Sequence, residues 1–302
     1  LQQVTINNGL ISLTTLDYGA IIQKILFKDK NGKQQNCVVG FEEPEDYLMD
    51  DHFLGACVGR FAGRISQGQF CISERTYPIF EEDGVHLHGG KQGFGRRFWK
   101  LIEHSEAPDP YVTYQYISPH LEEGYPGQLT VRVTYQLLGN TLKVLHTATT
   151  DQPTIVNLTN HSYFILDEDA ILDDLVLQIR SKKRLGTDEK LLPTGIVEQV
   201  ENTKFDFRQP KRLGKLRLDT PYLVDPTQDP LAIARSLKSG IQLSVSSNQA
   251  ALVVYTPDDL AAICFETQNY PDAPNQTAFP SSLLLPGETY FNESFFTFDL
   301  VP

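Results

Sequence analysis

In 154–166, TIVNLTNHSYFIL, an apolar run is interrupted by Asn157, Thr159, Asn160, His161 and Ser162. Imidazole changes charge near neutral pH, so His161 reads either as a proton carrier or as a satisfied core histidine in a bulge. Glu266 closes the apolar run 261–265. A carboxylate there costs desolvation free energy unless it is hydrogen-bonded, and burial raises its pKa towards the range of a general base. The other reading is a rim carboxylate bonded to the loop that follows. In GVHLHGG, His86 and His88 stand two apart and share a face if the strand continues. That pair could begin a metal site, which still needs a third ligand. Alternatively Gly89-Gly90 ends the strand, and one histidine points a hydrogen bond into a pocket. In GACVGRFAGRISQGQF, glycines 55, 59, 63 and 68 surround Arg60 and Arg64. Neither phosphate-loop pattern is present, which leaves an arginine approaching a ligand from a compact loop, or a surface arginine among turn glycines.

Such residues need a frame, and alternation supplies it. In 129–138, LTVRVTYQLL, Leu129, Val131, Val133 and Tyr135 fall on one side and Thr130, Arg132, Thr134 and Gln136 on the other, the period of a half-buried strand. Gly139-Asn140 then joins it to TLKVLHTATT as a hairpin. The runs 111–118, 240–247, 250–256 and 289–300 look alike, with Lys30-Asn31-Gly32, Tyr125-Pro126-Gly127, Pro193-Thr194-Gly195 and Pro257-Asp258-Asp259 as turns between such runs. Helical periodicity is confined to a turn or two within 42–51. The expectation is an all-β chain folded as a large antiparallel β-sandwich. The nearest thing to a linker, 225–230 (DPTQDP), is short and has strands beyond it, so one domain over 1–302 is expected. Trp99 is expected to pack in the core.

A net charge of −12 argues against a nucleic-acid partner, because phosphate binding needs a basic surface. No apolar run reaches membrane-spanning length, and the segment from Leu1 lacks the basic-then-apolar pattern of a secretion signal. Cys37, Cys57, Cys71 and Cys264 show neither CxxC nor zinc-ligand spacing and read as reduced thiols of a cytoplasmic protein. Four Asn-x-Ser/Thr matches, at 157, 160, 275 and 292, carry little weight without a secretion signal.

Taken together, VGRFAGRISQGQF, HLHGG, NLTNHSYF and ETQNYPDAPNQTAFPSSLLLPGETY resemble, in order, the signature segments of the aldose 1-epimerases, or galactose mutarotases. The resemblance runs from Asp17-Tyr18-Gly19-Ala20 to the C-terminal strand. It implies the galactose mutarotase-like supersandwich and interconversion of the α and β anomers of a free aldose, with no cofactor and no metal. It also implies roles. Glu266 would be the base that takes the C1 hydroxyl proton, and His161 the acid that protonates the ring oxygen. Arg64 and His88 would hold sugar hydroxyls, as would Asp219, with Asp225 as its alternative because Thr220 replaces the family's histidine. Gly63 stands where the family often has asparagine, and Val253 where some members have glutamine, which makes the pocket less polar. The expected partner is a small aldose, with the protein a monomer or homodimer and no nucleic-acid or membrane partner. The alternatives are a hexose-6-phosphate 1-epimerase, which would gather Arg60, Arg64, Arg96 and Arg97 around a phosphate, and a non-catalytic sugar-binding sandwich.

Overall fold

In the strand Leu129–Leu138 the alternating residues Leu129, Val131, Val133, Tyr135 and Leu137 are buried while Arg132 is exposed. The strand pairs with Thr141–Thr150 through the turn at Gly139-Asn140, with Leu138 opposite Thr141. Gly139 adopts the positive φ that a two-residue hairpin turn needs. The computed structural model describes residues 1–169 and 171–301. The domain expected over 1–302 also takes in Ala170 and Pro302, which lie outside the described residues.

Two large antiparallel sheets dominate. One has nine strands in the order Lys100–Ser105, Tyr111–Ser118, Leu129–Leu138, Thr141–Thr150, Tyr290–Leu300, Ile241–Ser247, Ala232–Arg235, Val176–Ile179 and Lys211–Arg212. The other has six: Tyr163–Phe164, Ile263–Gln268, Ala251–Tyr255, Asp219–Leu223, Lys183–Thr187 and Pro193–Gln199. A four-stranded sheet over Gln3–Asn7, Ser12–Leu16, Ile22–Lys28 and Gln34–Asn36 joins them. One core cluster takes Val131, Val144, Phe296 and Phe298 from the first sheet, Leu252, Val254 and Phe265 from the second, and Leu13 and Ile25 from the third. Each such side chain contributes about 1.5–3 kcal/mol on burial. Trp99 lies in this core, its Nε1 donating to the Phe94 carbonyl at 3.1 Å.

Among the described residues, helix is limited to short 3₁₀ turns, including Pro44–Met49 within the segment where the sequence allowed one. None is long and apolar enough to cross a membrane. All four cysteines are free, and three are buried. The exposed 225–229 segment is the crossing from the six-stranded to the nine-stranded sheet.

Candidate active site

Strand alternation builds the floor of a cavity of about 190 Å³. In Ile263–Gln268, Ile263 and Phe265 enter the core cluster, so Glu266 and Gln268 point the other way, into the cavity. Register carries that face across the sheet: Glu266 lies opposite Val253, Val253 opposite Pro221, and Tyr255 opposite Asp219. All of these residues line the cavity.

His161 comes from outside the sheet. The segment Thr159–Asn160 pairs with Cys57–Val58. The His161 N–H donates to the Ala56 carbonyl at 2.9 Å, and its carbonyl accepts from Gly55 N–H at 3.0 Å. Asn160 Nδ2 donates to the Gly55 carbonyl, while its Oδ1 accepts from the Ser162 N–H and hydroxyl. Asn157 Nδ2 donates to the Ala62 carbonyl, and its Oδ1 accepts from Asn269 N–H. The two amides therefore fasten backbone and leave the imidazole to the cavity. There His161 Nε2 stands 3.6 Å from Glu266 Oε1, with the residues 4% and 3% exposed. The ring stacks on Tyr163 at 5.0 Å between centroids.

His88 and Arg64 arrive on a smaller hairpin, Arg64–Ser66 paired with Val85–Leu87. His88 N–H donates to the Gly63 carbonyl, and Gly63 N–H donates to His88 Nδ1 at 3.3 Å. Because Nδ1 accepts, the neutral ring carries its proton on Nε2. Arg64 Nη2 lies 3.3 Å from Asp219 Oδ2, bridging hairpin and floor. Polar residues of the NYPDAPNQ loop hold the hairpin in place: Asp272 Oδ1 accepts from Ser66 N–H, and Asn275 Nδ2 donates to the Ser66 carbonyl.

The structure decides between several readings that the sequence left open. His86 and His88 do not share a face, because the strand ends at Leu87 and His88 turns to φ +50°. His86 is buried instead between the Phe80 carbonyl and the Tyr125 hydroxyl, away from the cavity. Arg60 is not a surface residue but is fully buried, donating to the carbonyls of Pro126 and Gly127 and to the Ser118 hydroxyl. The four arginines do not converge, since only Arg64 lines the cavity. Arg97 pairs with Glu122 and Arg96 with Asp51. Asp225 lies outside the cavity in a turn with Thr227, so of the two candidates Asp219 is the one that lines it; Asp51 lines it as well. The motifs did not single out Phe53, Tyr255 or the amide of Gln268, all of which line the cavity. Tyr255 and Gln268 were findable, since alternation along 250–256 and 263–268 places them on the face of Glu266.

Burial drives the electrostatics. Desolvation, reinforced by Asp219 and opposed by Arg64, pushes the Glu266 carboxyl up to about 8. Desolvation holds His161 down to about 4. His88 is also held well below its ordinary value by burial, with His161 and Arg64 adding repulsion. Between those two values the Glu266–His161 pair carries one proton, and burial alone puts it on Glu266. His88, His161 and Glu266 do bring three donor atoms within 4.8 Å of one another. A metal would need the Nε2 lone pair of His88, and the Gly63 contact places the proton there, so the trio fits a metal poorly.

The fold and the site define a class: a β-sandwich enzyme with a buried carboxylate–imidazole pair and further polar groups around a small cavity. The aldose 1-epimerase family model matches residues 2–297. Galactose mutarotase from Rattus norvegicus is 36% identical, covering 99% of this chain and 94% of that protein. Aldose 1-epimerase from Escherichia coli is 30% identical over 94% and 91%. A crystal structure of an aldose epimerase homologue from C. elegans superposes with TM-score 0.95 at 31% identity, covering 100% of this chain and 99% of that one. The chain belongs to the aldose 1-epimerase family and is an isomerase.

Proposed function

We propose that the protein is an aldose 1-epimerase that interconverts the α and β anomers of a free hexose such as glucose or galactose. Glu266 acts as base and His161 as acid. The 3.6 Å carboxylate–imidazole pair on the cavity floor carries this reading. Glu266 takes the C1 hydroxyl proton while His161 delivers one to the ring oxygen, and the C1–O bond of the ring breaks. The C1–C2 bond rotates in the open aldehyde; as the ring closes on the other face, His161 takes the proton back from the attacking hydroxyl and Glu266 gives its proton to the aldehyde oxygen. Ring opening turns an ionised pair into a neutral one, with the proton on Glu266 and His161 uncharged. Burial already rests the proton on Glu266, so the ionised tautomer must first form by transfer of that proton to His161 across the 3.6 Å contact, and ring opening returns the pair to its resting neutral state. The His88 Nε2–H, the Arg64 guanidinium and the Asp219 carboxylate supply donors and an acceptor for sugar hydroxyls.

The protein is read as a single domain over 1–302, cytoplasmic, monomeric or homodimeric, with a small aldose as its partner and neither nucleic acid nor membrane. A hexose phosphate would meet only Arg64, already paired with Asp219, which favours the free sugar. Polarimetry of freshly dissolved α-D-glucose and α-D-galactose tests the activity. Glu266→Gln and His161→Asn should each lower the rate by about 10²–10⁴-fold while remaining folded. A variant that kept a near-native rate would remove its residue from the mechanism, and a preference for glucose 6-phosphate would overturn the substrate.

A further inference from the structure

Gln268 is the buried polar group in the site that nothing yet explains. It lies two residues beyond Glu266 on the same face of Ile263–Gln268 and lines the cavity. The residue is fully buried, and neither Nε2 nor Oε1 has a hydrogen-bond partner. An amide left without partners in a dry site is destabilising unless a ligand bonds it. Its neighbours in the fold are occupied elsewhere: Asn269 is bonded to Asn157 and to the carbonyls of Pro280 and Ser281, and the cross-strand partner Ala251 offers no side-chain group. The reason the amide can face the cavity is Gly63. A Cβ there would sit 3.3 Å from Gln268 Nε2 and equally near Pro271, tighter than ordinary packing. The φ of +79° also suits glycine at this position. Gly63 therefore lets the amide pack directly against the backbone at the cavity wall, beside Arg64 and His88.

We infer that Gln268 is a substrate-binding and specificity-determining residue whose side-chain amide takes one sugar hydroxyl, as donor and acceptor, at the cavity wall beside Gly63. The inference rests on the aldose reading above and adds a contact to it. A site built to bond a hydroxyl discriminates against the sugar that lacks it, because the amide is then left unpaired. The test is a cycle between enzyme and substrate. Initial anomerisation rates are measured for glucose and galactose and for their 2-, 3-, 4- and 6-deoxy analogues, with wild type, Gln268→Leu and Gln268→Met. In the wild type, one deoxy position should raise KM at least tenfold. In both variants that penalty should disappear, with kcat for the parent sugar falling less than KM rises. Thermal denaturation separates binding from scaffolding: removing a partnerless amide should leave Tm unchanged or higher. Deoxy penalties that are the same in wild type and variants, or a lowered Tm with KM unchanged, would overturn the assignment. Absence of turnover of every sugar by the wild type would instead fail the aldose reading, and isothermal titration of the deoxy series would still report on Gln268.

Discussion

At the scale of the residue, the informative quantity is where one proton rests. Glu266, pushed up to about 8, keeps a proton that the unfolded chain releases above about 4.5. Folding stability therefore falls as pH rises from about 4.5 through 8. His161, held down to about 4, refuses a proton that the unfolded chain accepts below about 6.5, so its contribution is lost as pH falls from 6.5 through 4. Glu266→Gln should flatten the alkaline slope, by up to about 1.4 kcal/mol per pH unit, and His161→Asn the acidic one. Urea denaturation across that range checks both. An alkaline slope unchanged in Glu266→Gln would mean that the carboxyl is ionised in the empty site. For the proposed catalysis, the singly protonated pair should give a plateau in kcat/KM between about 4 and 8, with a decline on either side, as initial rates across that range would show.

At the scale of the element, alternation decided most of what was readable. The hairpin about Gly139-Asn140 and the strands Tyr111–Ser118, Ile241–Ser247 and Tyr290–Leu300 follow the runs seen in the sequence. The pairing order does not, because Thr141–Thr150 lies beside Tyr290–Leu300 through contacts that leave no local mark. Site residues were legible where a short motif carried them, as with His161, Glu266, Arg64 and His88. Asp219 had a weaker motif and needed the register with Tyr255 to place it on the floor. Arg60 and His86 were misread because the partners of Arg60, in 118–127, and of His86, Phe80 and Tyr125, lie outside the motifs that hold the two residues. One strand residue carries a stability cost of its own. His146, on the buried face of Thr141–Thr150, is 2% exposed with neither ring nitrogen partnered, and burial holds it down to about 3. The folded protein thus loses stability as pH falls from about 6.5 through 3. His146→Leu should be more stable than wild type by about 1 kcal/mol at neutral pH, with a margin that widens on acidification. Equilibrium unfolding at two pH values measures this, and a margin that does not change with acid would show that the imidazole is solvated.

At the scale of the whole molecule, the site is a meeting point. The nine-stranded sheet gives it no lining residue, yet its inner face supports Ile263–Gln268 through the shared core, so packing there sets the position of Glu266. Arg64, His88 and His161 reach the cavity on loops and small hairpins fastened by Asn157, Asn160 and Asp272. Asp219 and Glu266 come from the sheet beneath them. These five side chains are spread over about two thirds of the sequence and share no common segment. The exposed crossing at 225–229 divides them, with Arg64, His88, His161 and Asp219 before it and Glu266 after it. Exposed loop tips tolerate a chain break better than strands do. Two polypeptides parted at that crossing should each be inert alone and regain anomerisation on mixing, in proportion to the complex formed, as a polarimeter can follow. The enzyme would then serve as a reporter of its own reassembly, since the proposed proton transfer draws on both halves at once.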